Sequence, residues 1–517
     1  MVRASALVQR TANAVQSLPS PVGGWNARDS LANMDPSDAV ELVNLFPTVN
    51  NVVLRGGYEK HATGLPGYVN TLMAYSGGAN NKLFAASGTG FYDVTSAGAV
   101  GAAVVSGLTN AIWEYTNIST PGGAFMMCVN GTDSARLYNG STWSVPAITG
   151  VATTALSNIT LFKNRLWFIE KDTLRAWYLP TLSIGGAAEY LDLSSVAKYG
   201  GHLVDLDTWT IDAGYGVDDN LVFITSNGEV IVYRGTDPAS AATWALSGVW
   251  KLGSPIGNRC MLKWAGDLLI LTYDGLLPLA QSLQSSRLDP RVALSNKIQG
   301  AITEATTLYG GNHAAVGWQI TYSAKNNAVW INIPVAEGQQ QQYVMNTITT
   351  SWCQFTGWNA NCWEIYNDNP YFGGDGYVAR SWTTGETGYI DHTSNISATA
   401  LQAFNYFGSR GVKKYFTRAR PSIFSNGEPA ISVGMNIDFD TTQTIGSLSY
   451  SSSTVGLWDS GLWDGSNWGS ALTMNANWQG ITGIGFCGGL RFNSASSKLQ
   501  MEWAATDVVY QTGWAGI

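Results

Sequence analysis

One pattern constrains this chain more than any other. Seven times an apolar run meets a short polar turn and a second apolar run follows: KLFAASGTGFYDV, MMCVNGTDSARLYNGSTW, RLWFIEKDTLRAWYL, LVFITSNGEVIVYRG, LLILTYDGLLPL, ITYSAKNNAVWINI and PYFGGDGYVARSW. The turns centre near Gly88, Gly131, Lys171, Gly228, Gly275, Asn327 and Gly376, so successive units lie 40–57 residues apart. Apolar and polar positions alternate within each unit, as in half-buried strands. A unit of this size cannot bury its own apolar face, and copies of it pack side by side. Strand–turn–strand content at a period of roughly 40–50 residues predicts a β-propeller of six or seven blades. Two β-sandwiches in series are the alternative, and the regular spacing favours the propeller.

Composition agrees with a mostly β chain. Charged residues are 12% of the total, about half the usual roughly 25%. Glycines number 58 and tryptophans 21, which suits many short strands and tight turns better than helices. The organisation read from texture is an N-terminal arm over 1–60, a propeller over 61–395 and a β-sandwich-like domain over 396–517. In the arm, NMDPSDAVELVNLFP carries helix-start signals: Asp35 as N-cap, Pro36 at the first helical position and Asp38 reaching back. A short docked helix ended by Pro47 is expected there.

The formal net charge is −8, which argues against gripping nucleic acid over a broad surface. The dense basic run is Lys413, Lys414, Arg418 and Arg420, a candidate patch for DNA or an acidic partner, with a solvated strand edge as the plainer reading. Five cysteines without a CxxC spacing read as reduced and buried. No apolar run is long enough to span a membrane, and Arg10 interrupts any signal-peptide core.

Motifs for chemistry are missing. There is no phosphate-binding loop, no HExxH and no GxSxG, and His61, His202, His313 and His392 do not pair at metal-ligand spacing. No catalytic, cofactor-binding or metal residue is assigned, and the chain reads as a non-enzyme. Asp438 and Asp440, two apart on an expected strand, would share a face. Trp458, Trp463 and Trp468, five apart in GLWDSGLWDGSNWG, form a candidate aromatic contact loop for sugar or a partner, or a packed Trp cluster.

Three segments together carry a family resemblance. GGWNARDSLANMDPSDAVELVNLFP with LRGGYEKHATGL, the central KLFAASGTGFYDV…MMCVNGTD…YNGSTW, and WDSGLWDGSNWG…WQGITGIGFCGGLRF…WAATDVVYQTGW resemble tailed-bacteriophage virion proteins. The family is similar to the tail nozzle or hub proteins of short-tailed phages, the packaged-DNA stabilisation proteins. That resemblance implies a structural protein of the virion tail, assembled in the bacterial host cytoplasm. It implies a homohexameric ring below the portal and adaptor proteins. The ring would continue the DNA channel without sequence-specific contact, help retain packaged DNA, anchor tail fibres or spikes and meet a plug or needle. Trp25, Asn26, Arg28, Asp29, Asp35, Pro36 and Asp38 are the candidate assembly residues. The alternative function is a glycan-binding or glycan-cleaving propeller of the host-attachment apparatus.

Overall fold

The computed structural model describes residues 13–212, 217–283, 290–310, 317–385, 388–446, 448 and 472–512. They form two compact units. One comprises 59–343 with 357–381, the other 1–58 with 344–356 and 382–517. The division differs from the three consecutive segments expected from texture: the first 58 residues group with the C-terminal residues, and the chain passes between the units four times.

The first unit is a β-propeller. Its antiparallel meanders run in chain order. Blade 1 holds the end of the long strand Gly57–Tyr75 with Lys82–Ser87 and Gly90–Asp93. Blade 2 begins at Glu114–Thr120, blade 3 at Leu156–Phe162 and blade 4 at Leu203–Asp212. Blade 5 begins at Met261–Trp264, blade 6 at Gln319–Ser323 and blade 7 at Cys362–Tyr366. Among the described residues seven such first strands line one axial cavity. The ring closes through Gly57–Tyr75: it adds to the last strand of blade 7, Asp375–Thr383, before turning into blade 1. Arg380 pairs with Glu59 at 2.7 Å, and the Val69 amide donates to the Gly374 carbonyl at 3.0 Å, along that seam.

The turn signals in the sequence mark the blades. Gly88, Gly131, Lys171 and Gly228 lie between the second and third strands of a blade, and Gly275 and Gly376 stand at the start of the third. Asn327 is out of phase, joining the first and second strands of blade 6. Blade 5 has three strands, followed by an unforeseen helix, Gln299–Tyr309, that buries Ala301, Ile302, Ala305 and Thr306.

Aromatic residues fill the spaces between blades. Tyr178, Trp167, Trp244 and Tyr233 form a continuous row across blades 3 and 4, with the two indoles 5.4 Å apart and nearly parallel. Such ring pairs contribute about 0.5–1.5 kcal/mol beyond their buried area. Blade 4 also needs one glycine. Gly235 has φ +134°, and a Cβ there would lie 1.9 Å from the Thr243 carbonyl oxygen. Gly235→Ala is therefore expected to cost about 2–3 kcal/mol, read as a lower urea midpoint with unchanged slope.

The second unit is a two-sheet sandwich. In one sheet Met501–Thr512 is central, flanked by Lys414–Ser425 on one side and Asn13–Pro19 with Val52–Leu54 on the other. The other sheet contains Asp38–Val43, Ile396–Gln402, Gly488–Ser496 and Ala430–Ile437. Phe492 stacks on Trp503 between the sheets at 4.5 Å. All five cysteines are free and buried.

Two local expectations are corrected here. Residues 38–43 are a strand, not a helix. Asp35 does cap, but it caps a turn, accepting the Ser37 amide at 2.8 Å and its hydroxyl at 2.7 Å. The following Ala39–Val43 then pairs with a strand more than 350 residues away, and tertiary pairing overrides a marginal local helix. Asp438 and Asp440 do not share a strand face. The strand ends at Ile437; Asp438, at φ +49°, accepts the Phe486 and Cys487 amides, while Asp440 caps Thr442.

Candidate functional site

The axis of the propeller holds a concentration of charge unusual for this chain. The cavity there is about 300 Å³ and draws residues from all seven first strands. In a propeller those strands face the axis, and side chains that would meet solvent in a lone sheet meet one another. The cross-connections run from blade to blade. Asn158 on blade 3 donates to Asp205 on blade 4 at 2.9 Å, and Lys263 on blade 5 reaches Asp207 on blade 4 at 2.7 Å. Gln319 on blade 6 exchanges two 2.9 Å hydrogen bonds with the backbone of Trp363 on blade 7.

Arg259 bridges the axis. From the start of blade 5 its Nε donates to Glu114 of blade 2 at 2.8 Å. Its Nη2 donates to Thr71 Oγ1 of blade 1 at 2.8 Å and to the Trp113 carbonyl at 2.9 Å, and Nη1 to the Asn70 carbonyl at 3.2 Å. Tyr115 of blade 2 donates its hydroxyl to Glu364 of blade 7 at 2.6 Å. The propeller axis is thus crossed by protein. The side-chain bridges leave no open channel along it through which a duplex could pass.

Burial governs ionisation in this cluster. It pushes Glu364 up to about 7, against the Tyr115 hydrogen bond and Arg259, which favour the anion. Glu114 is raised by burial, which outweighs the attraction of Arg259. Asp205 is raised well above the carboxylate range by burial and then by its neighbour Asp207. Tyr115 and Cys260 are driven well up, again by burial first.

None of the described residues singled out from sequence lies in this cavity. Trp25 belongs to a two-residue strand paired with Asp38–Ala39. Asn26, buried, ties Asp29 and Asp38 together with bonds of 2.9 and 2.8 Å, and Arg28 grips Asp29 at 2.7 Å. Asp35 and Pro36 stand exposed in the adjoining turn. These residues do come together, as one closed turn.

The basic run is broken up. Lys414 is fully buried, donating to the Phe486 carbonyl at 2.9 Å and to the Ser409 carbonyl, and burial lowers its pKa. Arg420 pairs with Asp507 at 2.7 Å and lies over Trp478, while Lys413 lies over Phe486 and Arg418 is exposed. The expected four-residue surface patch is therefore three residues, because Lys414 falls on the inward side of the strand alternation. Trp458, Trp463 and Trp468 lie outside the described residues.

Among the described residues no three His, Cys, Asp or Glu side chains group to hold a metal ion. No helix among them is long and apolar enough to cross a membrane.

No family model and no curated protein matches the chain. Solved structures that align with it include BBS1N in complex with ARL6DN, at 9% identity and TM-score 0.40, over 63% of this chain and 97% of that one. The β-propeller domain of Myceliophteria thermophila Cps50 (Swd1) aligns at 12% identity and TM-score 0.38, over 65% of this chain and 100% of that one. YCF48 bound to D1 peptide aligns at 11% identity and TM-score 0.38, over 63% and 95%. Likenesses this distant add nothing to the assignment, and the propeller stands on its own strand order and seven-walled axial cavity.

Proposed function

We propose that this chain is a structural virion protein of a bacteriophage tail. In this reading it forms a ring, the nozzle or hub below the portal and adaptor, that retains packaged DNA and anchors fibres or spikes. It acts without turning over a substrate. One observation supports this reading above others. The N-terminal and C-terminal segments that resemble phage virion proteins are hundreds of residues apart, yet both contribute strands to one sandwich. Segments that fold into one body are expected to resemble a family together. The bridged axis adds a constraint: DNA would pass between copies of the chain, never through a propeller.

The test is cryo-electron microscopy of intact virions with six-fold averaging of the tail vertex. The expected result is a six-membered ring of this chain around the DNA path beneath the adaptor. Density for it on peripheral appendages, or its absence from the tail, would remove the nozzle assignment and favour a host-attachment role.

A further inference from the structure

In the sandwich unit, the sheet built on Met501–Thr512 has an open strand on each side. Among the described residues Asn13–Pro19 pairs with Met501–Thr512 alone, and Gln479–Gly485 pairs with Lys414–Ser425 alone. The order is Gln479–Gly485, Lys414–Ser425, Met501–Thr512, Asn13–Pro19, and every pairing is antiparallel. Rows cross all four strands. Ile484, Tyr415, Gln511 and Asn13 form one, and Gly480, Arg418, Val509 and Val15 another. The two open edges therefore stand level, and each is seven residues long.

Backbone groups on the first edge are available. The Ser20 amide donates to the Ala504 carbonyl at 3.1 Å, on the paired side. Alternation along the strand then turns the amides and carbonyls of Asn13, Val15 and Ser17 outward, where they meet no backbone partner among the described residues. The other sheet meets Gln479–Gly485 on its inner face, where the Gln479 side chain binds the Val433 amide and the Ile431 carbonyl.

Charge is placed against the habit of a solitary sheet, which guards its edges with lysine, other charges or proline. Neither edge strand here carries a charged residue, and Pro19 only ends one of them. The charges stand on the two middle strands, Lys414, Arg418 and Arg420 on one and Glu502 and Asp507 on the other. Large apolar side chains are exposed at both edges, Val15 at 63% and Ile484 at 45%.

We propose that the two edges are halves of one interface: Asn13–Pro19 of one copy pairs with Gln479–Gly485 of a second copy, joining their sheets head to tail. The occupant is a second copy because one sheet supplies both halves. Four strands are an even number, so the alternation of direction passes unbroken into the next copy, and the junction is antiparallel like the rest. No like charges meet across it. Such a contact is heterologous, and a rotation that closes it leaves no copy with an open edge. The contact rests on the ring reading for its closure, and on the sheet alone for the pairing.

The test is sedimentation velocity of the full chain at concentrations up to about 0.1 mM. Wild type is expected to form multimers larger than dimers. With Asn13 opposite Ile484 of the next copy, Val15 falls opposite Thr482, and both are exposed. Val15→Lys and Thr482→Lys should each weaken association by about tenfold or more, with an unchanged urea midpoint. Val15→Lys with Thr482→Glu in one chain should restore it, because the lysine of one copy meets the glutamate of the next. Wild type that stays monomeric, or lysine variants that associate as wild type does, overturn the proposal. Dimers alone, lost in Val15→Lys and not restored by Thr482→Glu, would mean that Asn13–Pro19 pairs with itself, and overturn it too. Multimers that behave as expected, from a chain missing from the virion tail, would remove the tail assignment and leave this contact standing.

Discussion

Replacing Arg55 with alanine should destabilise the sandwich unit by about 3–5 kcal/mol, the usual cost of removing one partner from a buried ion pair. The side chain of Arg55 is fully buried and every face of its guanidinium is engaged. Nε donates to Asn44 Oδ1 at 2.8 Å; Nη1 donates to the Gly56 carbonyl at 2.9 Å and Asp391 Oδ1 at 2.8 Å; Nη2 donates to the Thr356 carbonyl at 2.7 Å and Asp391 Oδ2 at 2.6 Å. One residue thus joins the stretch around residues 44–56 to Thr356 and Asp391, each more than 300 positions away. Alanine would strand the Asp391 carboxylate and at least two further buried acceptors without donors. Arg55→Lys should recover part of the loss, because an ammonium cannot reproduce the two parallel bonds to Asp391. The measurement is urea unfolding together with amide exchange. Protection should fall in Asp38–Val43 and Ile396–Gln402 and persist in blades 3 and 4. A loss below about 1 kcal/mol would mean that water replaces the guanidinium and that the pair is not what fastens these segments. The double replacement Arg55→Met with Asp391→Leu should be milder than Arg55→Ala, since it removes the stranded charge as well.

The same long-range pairing explains what could and could not be read in the sequence. The repeat was legible because each blade places a turn between its second and third strands, and six of the seven marker positions fall in that turn or at the start of the strand that follows it. Asn327 broke phase because blade 6 has turn chemistry at two places: Asn327, at φ +49°, and Gly338, at φ +68°. The longest spacing, into blade 4, reflects the extended connection after Arg175–Tyr178. The unit boundaries were not legible. Ring closure by Gly57–Tyr75, and the pairing of Asn13–Pro19 with Met501–Thr512, join residues whose relation leaves no local pattern. The helix expected near Asp35 failed for the same reason: its start signals were real, but they served a turn before a strand. The axial cluster did leave a trace. Thr71, Glu114, Asn158, Asp205, Arg259, Gln319 and Glu364 are polar residues in or beside apolar strands, each about one repeat from the next. Their meeting becomes visible once the first strand of every blade is known, because a single strand carries no sign of which edge faces an axis.

Glu364 should make the propeller less stable as the pH rises. Its folded-state pKa of about 7 stands above the ordinary 4.5, so between those values the folded protein holds a proton that the unfolded chain has released. Stability therefore declines through that window and levels off above it, a change of about 3 kcal/mol for this group. Asp205 acts in the same direction, since burial also raises it. Glu364→Gln removes the titration while leaving an oxygen to accept the Tyr115 hydroxyl. Relative to wild type, the variant should gain about 3 kcal/mol between about pH 4.5 and pH 8. Tyr115→Phe should do the opposite, since losing a donor to the anion raises the cost of ionising Glu364 and carries the decline on to higher pH. Urea unfolding at several pH values checks both, with tryptophan emission from the packed row at Trp167 and Trp244 reporting on blades 3 and 4. Parallel wild-type and Glu364→Gln profiles would mean that the cavity hydrates the carboxylate well enough to leave it ionised.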